Sequence, residues 1–258
     1  MSKIAEAFNN KKAFIPFITC GDPDLETTQE IIKELEANGA DLIELGIPFS
    51  DPTAEGPVIQ AANIRALKNK ITTDDVLNMV EKVRLEVTVP LCIMTYANVV
   101  FSYGTKRFFE RCAKVGIDGI ILPDVPFEEK EEFESVASEY GVDFISMIAP
   151  TSKDRIDMVA RDAKGFIYIV SSLGVTGERN EITSNIKALV AQVRKNTKVP
   201  CAVGFGISTP KQAAEMASVS DGAIVGSAIV KIIEEYGKAS PVHVGNFVKS
   251  MKESYHAS

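Results

Sequence analysis

Histidine is almost missing: only His243 and His256 occur in 258 residues, both near the C-terminus. A His-based metal site or a Cys–His nucleophile therefore has little to draw on. The four cysteines, Cys20, Cys92, Cys112 and Cys201, are scattered and form no C-x-x-C. They read as reduced core thiols of a cytoplasmic protein. No apolar run approaches the roughly 20 residues that span a bilayer, and Met1-Ser2-Lys3-Ile4-Ala5-Glu6 has no signal-peptide core. No linker, charge block or low-complexity stretch divides the chain, so residues 1–258 are expected to form one domain. The net charge of −7 argues against a nucleic-acid or membrane surface, while leaving room for a local phosphate pocket.

What is present is a repeating strand-then-helix unit. The expected strands are Ala13–Thr19, Asp41–Leu45, Pro90–Thr95, Gly119–Leu122, Val142–Ile148, Phe166–Val170, Pro200–Val203 and Gly222–Val225. They are short, rich in Ile and Val, and lack clean polar alternation, as suits a parallel sheet buried on both faces. The helices between them have readable ends. Asp24 is expected to cap one that ends near Gly39, Thr73 to cap another, and Thr209-Pro210 to supply N-cap and first turn to a third. Gly39-Ala40-Asp41, Gly116-Ile117-Asp118 and Gly141-Val142-Asp143 each read as the end of a helix and the start of a strand. Eight such units predict an α/β fold, a TIM (β/α)8 barrel. An N-terminal helix over Ser2–Asn10 and an inserted helix over Thr73–Leu85, after strand two, decorate it. A doubly wound open sheet is the alternative architecture.

Within Asp41-Leu42-Ile43-Glu44-Leu45-Gly46 one carboxylate interrupts a strand otherwise fit for burial. An unpaired buried carboxylate is costly, so Glu44 has either a buried cationic partner or a chemical task. Glu55 follows on the next loop, and two carboxylates sharing a pocket can divide acid and base work. A barrel gathers its active site at the carboxyl ends of the strands. That rule collects Phe17, Thr19, Glu44, Tyr96, Asp124, Ile148 and Tyr168. Gly204-Phe205-Gly206-Ile207-Ser208 after strand seven and Gly226-Ser227 after strand eight offer close backbone approach and a helix start, a combination suited to phosphate. The long loop Ser171–Glu181 has the glycines of a lid.

These residues resemble a known family. Leu42-Ile43-Glu44-Leu45-Gly46-Ile47-Pro48-Phe49-Ser50-Asp51-Pro52, then Glu55-Gly56-Pro57, is similar to the signature of the tryptophan synthase alpha chain. The similarity runs on through Pro16–Pro23, Tyr96-Ala97-Asn98, Pro123-Asp124-Val125-Pro126, Ala149-Pro150, Gly174-Val175-Thr176-Gly177, Gly204-Phe205-Gly206-Ile207 and Gly226-Ser227-Ala228, in order over essentially the whole chain. The resemblance implies a lyase of tryptophan biosynthesis, cleaving indole-3-glycerol phosphate to indole and glyceraldehyde 3-phosphate by a retro-aldol reaction. It implies that Glu44 is the main acid–base group and that Glu55 stabilises the indole N–H. It implies an indole pocket of Phe17, Met94, Tyr96, Pro123, Ile148, Tyr168 and Phe205, and a phosphate site of Gly177, Gly206, Gly226 and Ser227. Thr176 matches a lid threonine that orders the second carboxylate. The family chain carries no cofactor of its own. It joins a beta subunit that uses pyridoxal phosphate, in an alpha2beta2 heterotetramer with allosteric communication, and Asp51 and Pro52 match the contact with that partner.

Two positions depart from the family pattern. The second carboxylate is normally Asp and here is Glu55; two residues earlier an aliphatic side chain is replaced by Thr53. One added methylene extends the reach by on the order of an ångström, and misplacement on that scale costs about a hundredfold in rate. A slow alpha chain kept mainly as an allosteric activator of its partner is therefore one alternative. Another phosphate-binding barrel isomerase or synthase is the other, although it would need a Lys or second Asp at the strand ends.

Overall fold

The computed structural model describes residues 3–152, 155–171, 179–204 and 206–256. Its sheet comprises β1 (Ala13–Thr19), β2 (Ile43–Gly46), β3 (Leu91–Met94), β4 (Gly119–Ile121), β5 (Asp143–Phe144), β6 (Ser146–Ile148), β7 (Ile167–Val170), β8 (Cys201–Gly204) and β9 (Gly222–Val225). Every pairing is parallel, in the order β5-β4-β3-β2-β1-β9-β8-β7-β6. The two ends of that order, β5 and β6, are separated only by Ile145, whose N–H bonds the Ile120 carbonyl at 2.9 Å. They are one stave that pairs with β4 in its first half and with β7 in its second. Counted so, the sheet closes as an eight-stave barrel, the fold read from the sequence.

Alternate residues of each stave sort onto two faces. Ala13, Ile15, Leu42, Cys92, Ile121, Ile145, Phe166, Ala202 and Ile224 form one buried cluster inside the barrel. Their neighbours, among them Phe14, Ile18, Ile43, Ile93, Ile120 and Ile169, pack outward against the helices. The N-terminal helix is shorter than expected, Lys3–Glu6 rather than Ser2–Asn10. The segment is nonetheless placed with purpose: Ile4 in the helix and Ala7 just after it belong to the interior cluster, and the Phe8 ring lies 5.7 Å from Phe166. The barrel floor is thereby plugged with apolar side chains.

The expected helix ends hold in most places. Asp24 accepts from Thr27 N at 2.7 Å, and Thr209 forms a reciprocal cap with Gln212 ahead of Pro210. Gly39, Gly116 and Gly141 have φ of +101°, +84° and +71°, values that favour glycine at a helix-to-strand reversal. The inserted helix requires correction. It spans Thr73–Val83, not Thr73–Leu85, and its cap is Thr72 rather than Thr73, because Asp75 reciprocates with the Thr72 backbone N–H at 3.0 Å. A further helix, Ala97–Tyr103, was not expected from the sequence.

The aspartates at the floor junctions have a common task. Asp41 accepts from Phe14 N, Asp118 from Leu91 N and Asp221 from Cys201 N, at 2.7, 2.9 and 2.9 Å. Each bonds the neighbouring stave and is paired with a cation, Lys11, Arg84 or Arg194 respectively. Ionic groups thus fasten the floor of the barrel, and the carboxyl end is left for chemistry.

Candidate active site

Glu44 lies near the carboxyl end of β2 on the interior face, opposite Phe17 of β1 and Cys92 of β3. It is fully buried. Among the described residues neither Oε1 nor Oε2 has a hydrogen-bond partner. Among the described residues, therefore, no cationic partner makes Glu44 structural. Burial alone, which disfavours the charged form, pushes its carboxyl up to about 8. At neutral pH such a group mostly holds its proton yet can release it, which is what a proton shuttle requires. Its charge also raises the phenol of Tyr168, after burial, which is the larger cause.

Around Glu44 the interior is apolar and aromatic. Phe17, Met94, Ile59 and Val58 form a cluster at the upper end of the barrel, and Met94 and Tyr168 also adjoin the interior core below. Glycine makes room for the rings. A Cβ on Gly46 would stand 2.7 Å from Phe17 Cζ, and one on Gly226 would stand 3.3 Å from Phe17 Cδ1. Phe17 thus lies against both the Glu44 strand and the start of the final barrel unit. Thr19 adds a polar atom: its hydroxyl is buried, with no hydrogen-bond partner among the described residues.

Glu55 is half-buried on the loop after β2. Asn63 Nδ2 donates to its Oε2 at 2.6 Å. Burial raises its carboxyl, and hydrogen bonds with Asn63 and Tyr96 oppose that rise. Glu55 thus has hydrogen bonds that favour its charged form, which Glu44 lacks among the described residues, so the two environments suit an ionised and a protonated partner. Tyr96, nearly fully buried, accepts from Ala54 N at 3.3 Å and sets its ring 5.2 Å from Phe49.

Gly206 and Gly226 stand at the ends of β8 and β9. Gly206 has φ +58° with open space where a Cβ would be. Gly226 is the N-cap of the helix Ser227–Tyr236, with Ser227 exposed at its first turn. Backbone N–H groups at such a start are suited to an anion.

Not every expected residue joins the pocket. Ile148 sits one residue out of phase with Ile145 and Met147 and packs with Ile169 in the layer between sheet and helices. Asp124 is turned to another use: both its carboxylate oxygens accept from Ala97 N at 3.1 Å, at the start of helix Ala97–Tyr103. Pro123 is half-buried beside it, and Asp51 and Pro52 lie at the surface of the loop before Glu55. Thr176, Gly177 and Phe205, with most of the expected lid, lie outside the described residues. Asn63 was missed by the sequence reading, and so was Ile59. Both stand on helix Pro57–Lys68, where i, i+4 spacing puts them on the face toward the barrel.

A cavity of about 540 Å³ lies instead at the barrel floor, between Phe8, Asn9, Arg194, Lys198 and Asp221. Barrel enzymes do not place their chemistry at that end, and Arg194 there is already paired with Asp221. No group of three His, Cys, Asp or Glu side chains able to hold a metal comes together among the described residues. No helix among them is long and apolar enough to cross a membrane.

Comparison with known proteins agrees with this geometry. The family model for the tryptophan synthase alpha chain matches residues 4–257. The tryptophan synthase alpha chain of Lacticaseibacillus casei is 48% identical over 252 residues, covering 98% of this chain and 95% of that one. The crystal structure of tryptophan synthase subunit alpha from Legionella pneumophila superposes with a TM-score of 0.91 at 38% identity, covering 100% of both chains. A chain from the tryptophan synthase α2β2 complex of Pyrococcus furiosus superposes with a TM-score of 0.86 at 34% identity, over 93% of this chain and 98% of that one.

Proposed function

The chain belongs to the tryptophan synthase alpha chain family, and from that premise we propose that it cleaves indole-3-glycerol phosphate to indole and glyceraldehyde 3-phosphate. The observation that carries this reading is the Glu44 carboxyl, buried at the catalytic end of the barrel, unpartnered among the described residues and pushed up to about 8.

The sequence of proton transfers balances on that one group. Protonated Glu44 gives its proton to indole C3, which makes the ring an electron acceptor with positive charge on its nitrogen. The Glu55 carboxylate, held by Asn63 and Tyr96, accepts a hydrogen bond from the indole N–H and stabilises that charge. Glu44, now ionised, takes the proton of the glycerol hydroxyl next to the ring. The carbon–carbon bond breaks, its electron pair returns to the ring as indole, and the hydroxyl carbon becomes the aldehyde. Glu44 ends as it began. Phe17, Met94, Tyr96, Pro123, Ile148, Tyr168 and Phe205 would hold the flat ring. Gly206, Gly226 and Ser227, with Gly177 from the lid, would hold the phosphate, and Thr176 would order Glu55.

The chain's own side chains carry every proton, so we assign it no cofactor. We place residues 1–258 in one cytoplasmic barrel domain. It would assemble with a pyridoxal-phosphate-dependent beta subunit in an alpha2beta2 heterotetramer, through Asp51 and Pro52 on the exposed loop. Indole would pass to that subunit for tryptophan synthesis. The test is a steady-state assay of indole release from indole-3-glycerol phosphate, with and without saturating beta subunit. Slow release that accelerates with the partner supports the reading. No release in either condition overturns the lyase; equal rates in both overturn communication through the loop.

A further inference from the structure

Asn63 is an unusual residue for its place. It stands in the middle of helix Pro57–Lys68, 3% exposed, where asparagine is a poor helix former and a buried amide must find partners. All three of its hydrogen bonds can be named. Oδ1 accepts from Phe49 N at 3.2 Å, and Nδ2 donates to Glu55 Oε2 at 2.6 Å and to the Ile59 carbonyl at 3.1 Å. Both N–H groups of the amide face acceptors, so turning it over would set its oxygen against a carboxylate and a carbonyl. Its orientation is therefore fixed by its surroundings.

Two of the three partners lie outside the helix, at opposite ends of the segment from Phe49 to Glu55. Further bonds brace that segment: Ala54 N donates to the Tyr96 hydroxyl at 3.3 Å, Gln60 Nε2 donates to the Glu55 carbonyl at 2.7 Å, and the Tyr96 side chain bonds the Glu55 carboxylate. Among the described residues, Asn63 is the one on this helix that hydrogen-bonds the Glu55 carboxylate, and the one that joins both ends of the segment.

We propose that Asn63 is the positioning residue for Glu55: its side-chain amide aims the longer carboxylate into the pocket while holding the start of the same loop. This rests on the lyase reading above, in which Glu55 accepts from the indole N–H. The bond also accounts for how a glutamate serves here. The added methylene is taken up by a partner eight positions along the chain, which pulls the carboxylate to a set place. Asn63 itself touches no substrate. It acts through Glu55, and its loss should fall on the rate of cleavage rather than on binding.

The experiment is a double-mutant cycle on indole release by the full chain with saturating beta subunit. Asn63→Asp keeps an acceptor for Phe49 N and loses the donor to Glu55; Asn63→Ala loses both. Each should lower kcat by about 10- to 100-fold with KM within about threefold, as expected for a charge-assisted bond that matters in the transition state. In a Glu55→Ala background the same changes should alter kcat by less than about twofold, because the group they position is gone. Asn63→Ser carries the comparison if Asn63→Ala does not fold. A similar loss in both backgrounds, a loss seen mainly in KM, or wild-type kinetics in Asn63→Ala would each overturn the proposal. Failure of the parent protein to release indole would instead overturn the lyase reading, and would show before any variant is compared.

Discussion

Glu44 lies directly opposite Phe17 in the pairing of β1 with β2, and the Phe17 ring fills the space that a side chain on Gly46 would need. The carboxyl therefore adjoins an aromatic wall, which explains why burial, with no opposing charge, sets its proton affinity.

A pH dependence follows. The cleavage cycle starts from protonated Glu44, so kcat/KM should fall as pH rises through about 8. Glu55 must be ionised, and its carboxyl is raised by burial, so the acid limb should lie above the ordinary carboxylate range. The two limbs belong to the pair as macroscopic values. A pH–rate profile of indole release checks this. Activity that keeps rising well above the alkaline limb would show that protonated Glu44 is not the starting form.

Stability should carry the same signature. The folded state holds the Glu44 proton more tightly than the unfolded chain does. The group's contribution is therefore fully present below the unfolded carboxylate range and is lost as pH rises through about 8. Compared with Glu44→Gln, the parent should weaken over that window by at most about 1.4 kcal/mol per pH unit. Urea denaturation of both proteins at several pH values measures the difference. Parallel curves would mean that Glu44 is not a buried, proton-holding group.

Gly46→Ala should displace the Phe17 ring, since the new methyl would stand 2.7 Å from Cζ. The ring also borders Gly226, so the displacement should reach both the indole pocket and the phosphate end. We expect kcat/KM to fall by about tenfold or more, and stability to fall by about 1–3 kcal/mol as overpacking does. Kinetics with thermal unfolding test it. An unchanged kcat/KM with an unchanged Tm would mean that Phe17 moves freely and does not shape the pocket.

Much of this architecture was legible because short apolar runs and punctuating glycines leave few alternatives. Gly39, Gly116 and Gly141 marked turns that do require positive φ. Glu44 stood out because a carboxylate in a Leu- and Ile-rich strand has no packing reason. The misses have physical causes. Val142–Ile148 contains no Gly or Pro to show where its pairing changes from β4 to β7. Thr72 and Thr73 are equally able caps, and only the reach of Asp75 decides between them. The strand-end rule and the family likeness both name Ile148 for the pocket, and strand register sets it beside Ile169. Asn63 was hidden because a polar residue within a helix reads as solvent-facing until its loop partners are known.

The most direct measurement is single-turnover release of indole from indole-3-glycerol phosphate by the parent and by Glu44→Gln, with binding of a glycerol phosphate followed in parallel. The amide keeps the shape of Glu44 and cannot exchange the proton. The account predicts that cleavage falls by at least about 10²-fold, the lower range for loss of a general acid–base group, while the phosphate ligand still binds. Turnover within a few-fold of the parent, in a folded variant, would contradict the role of Glu44 and with it the mechanism.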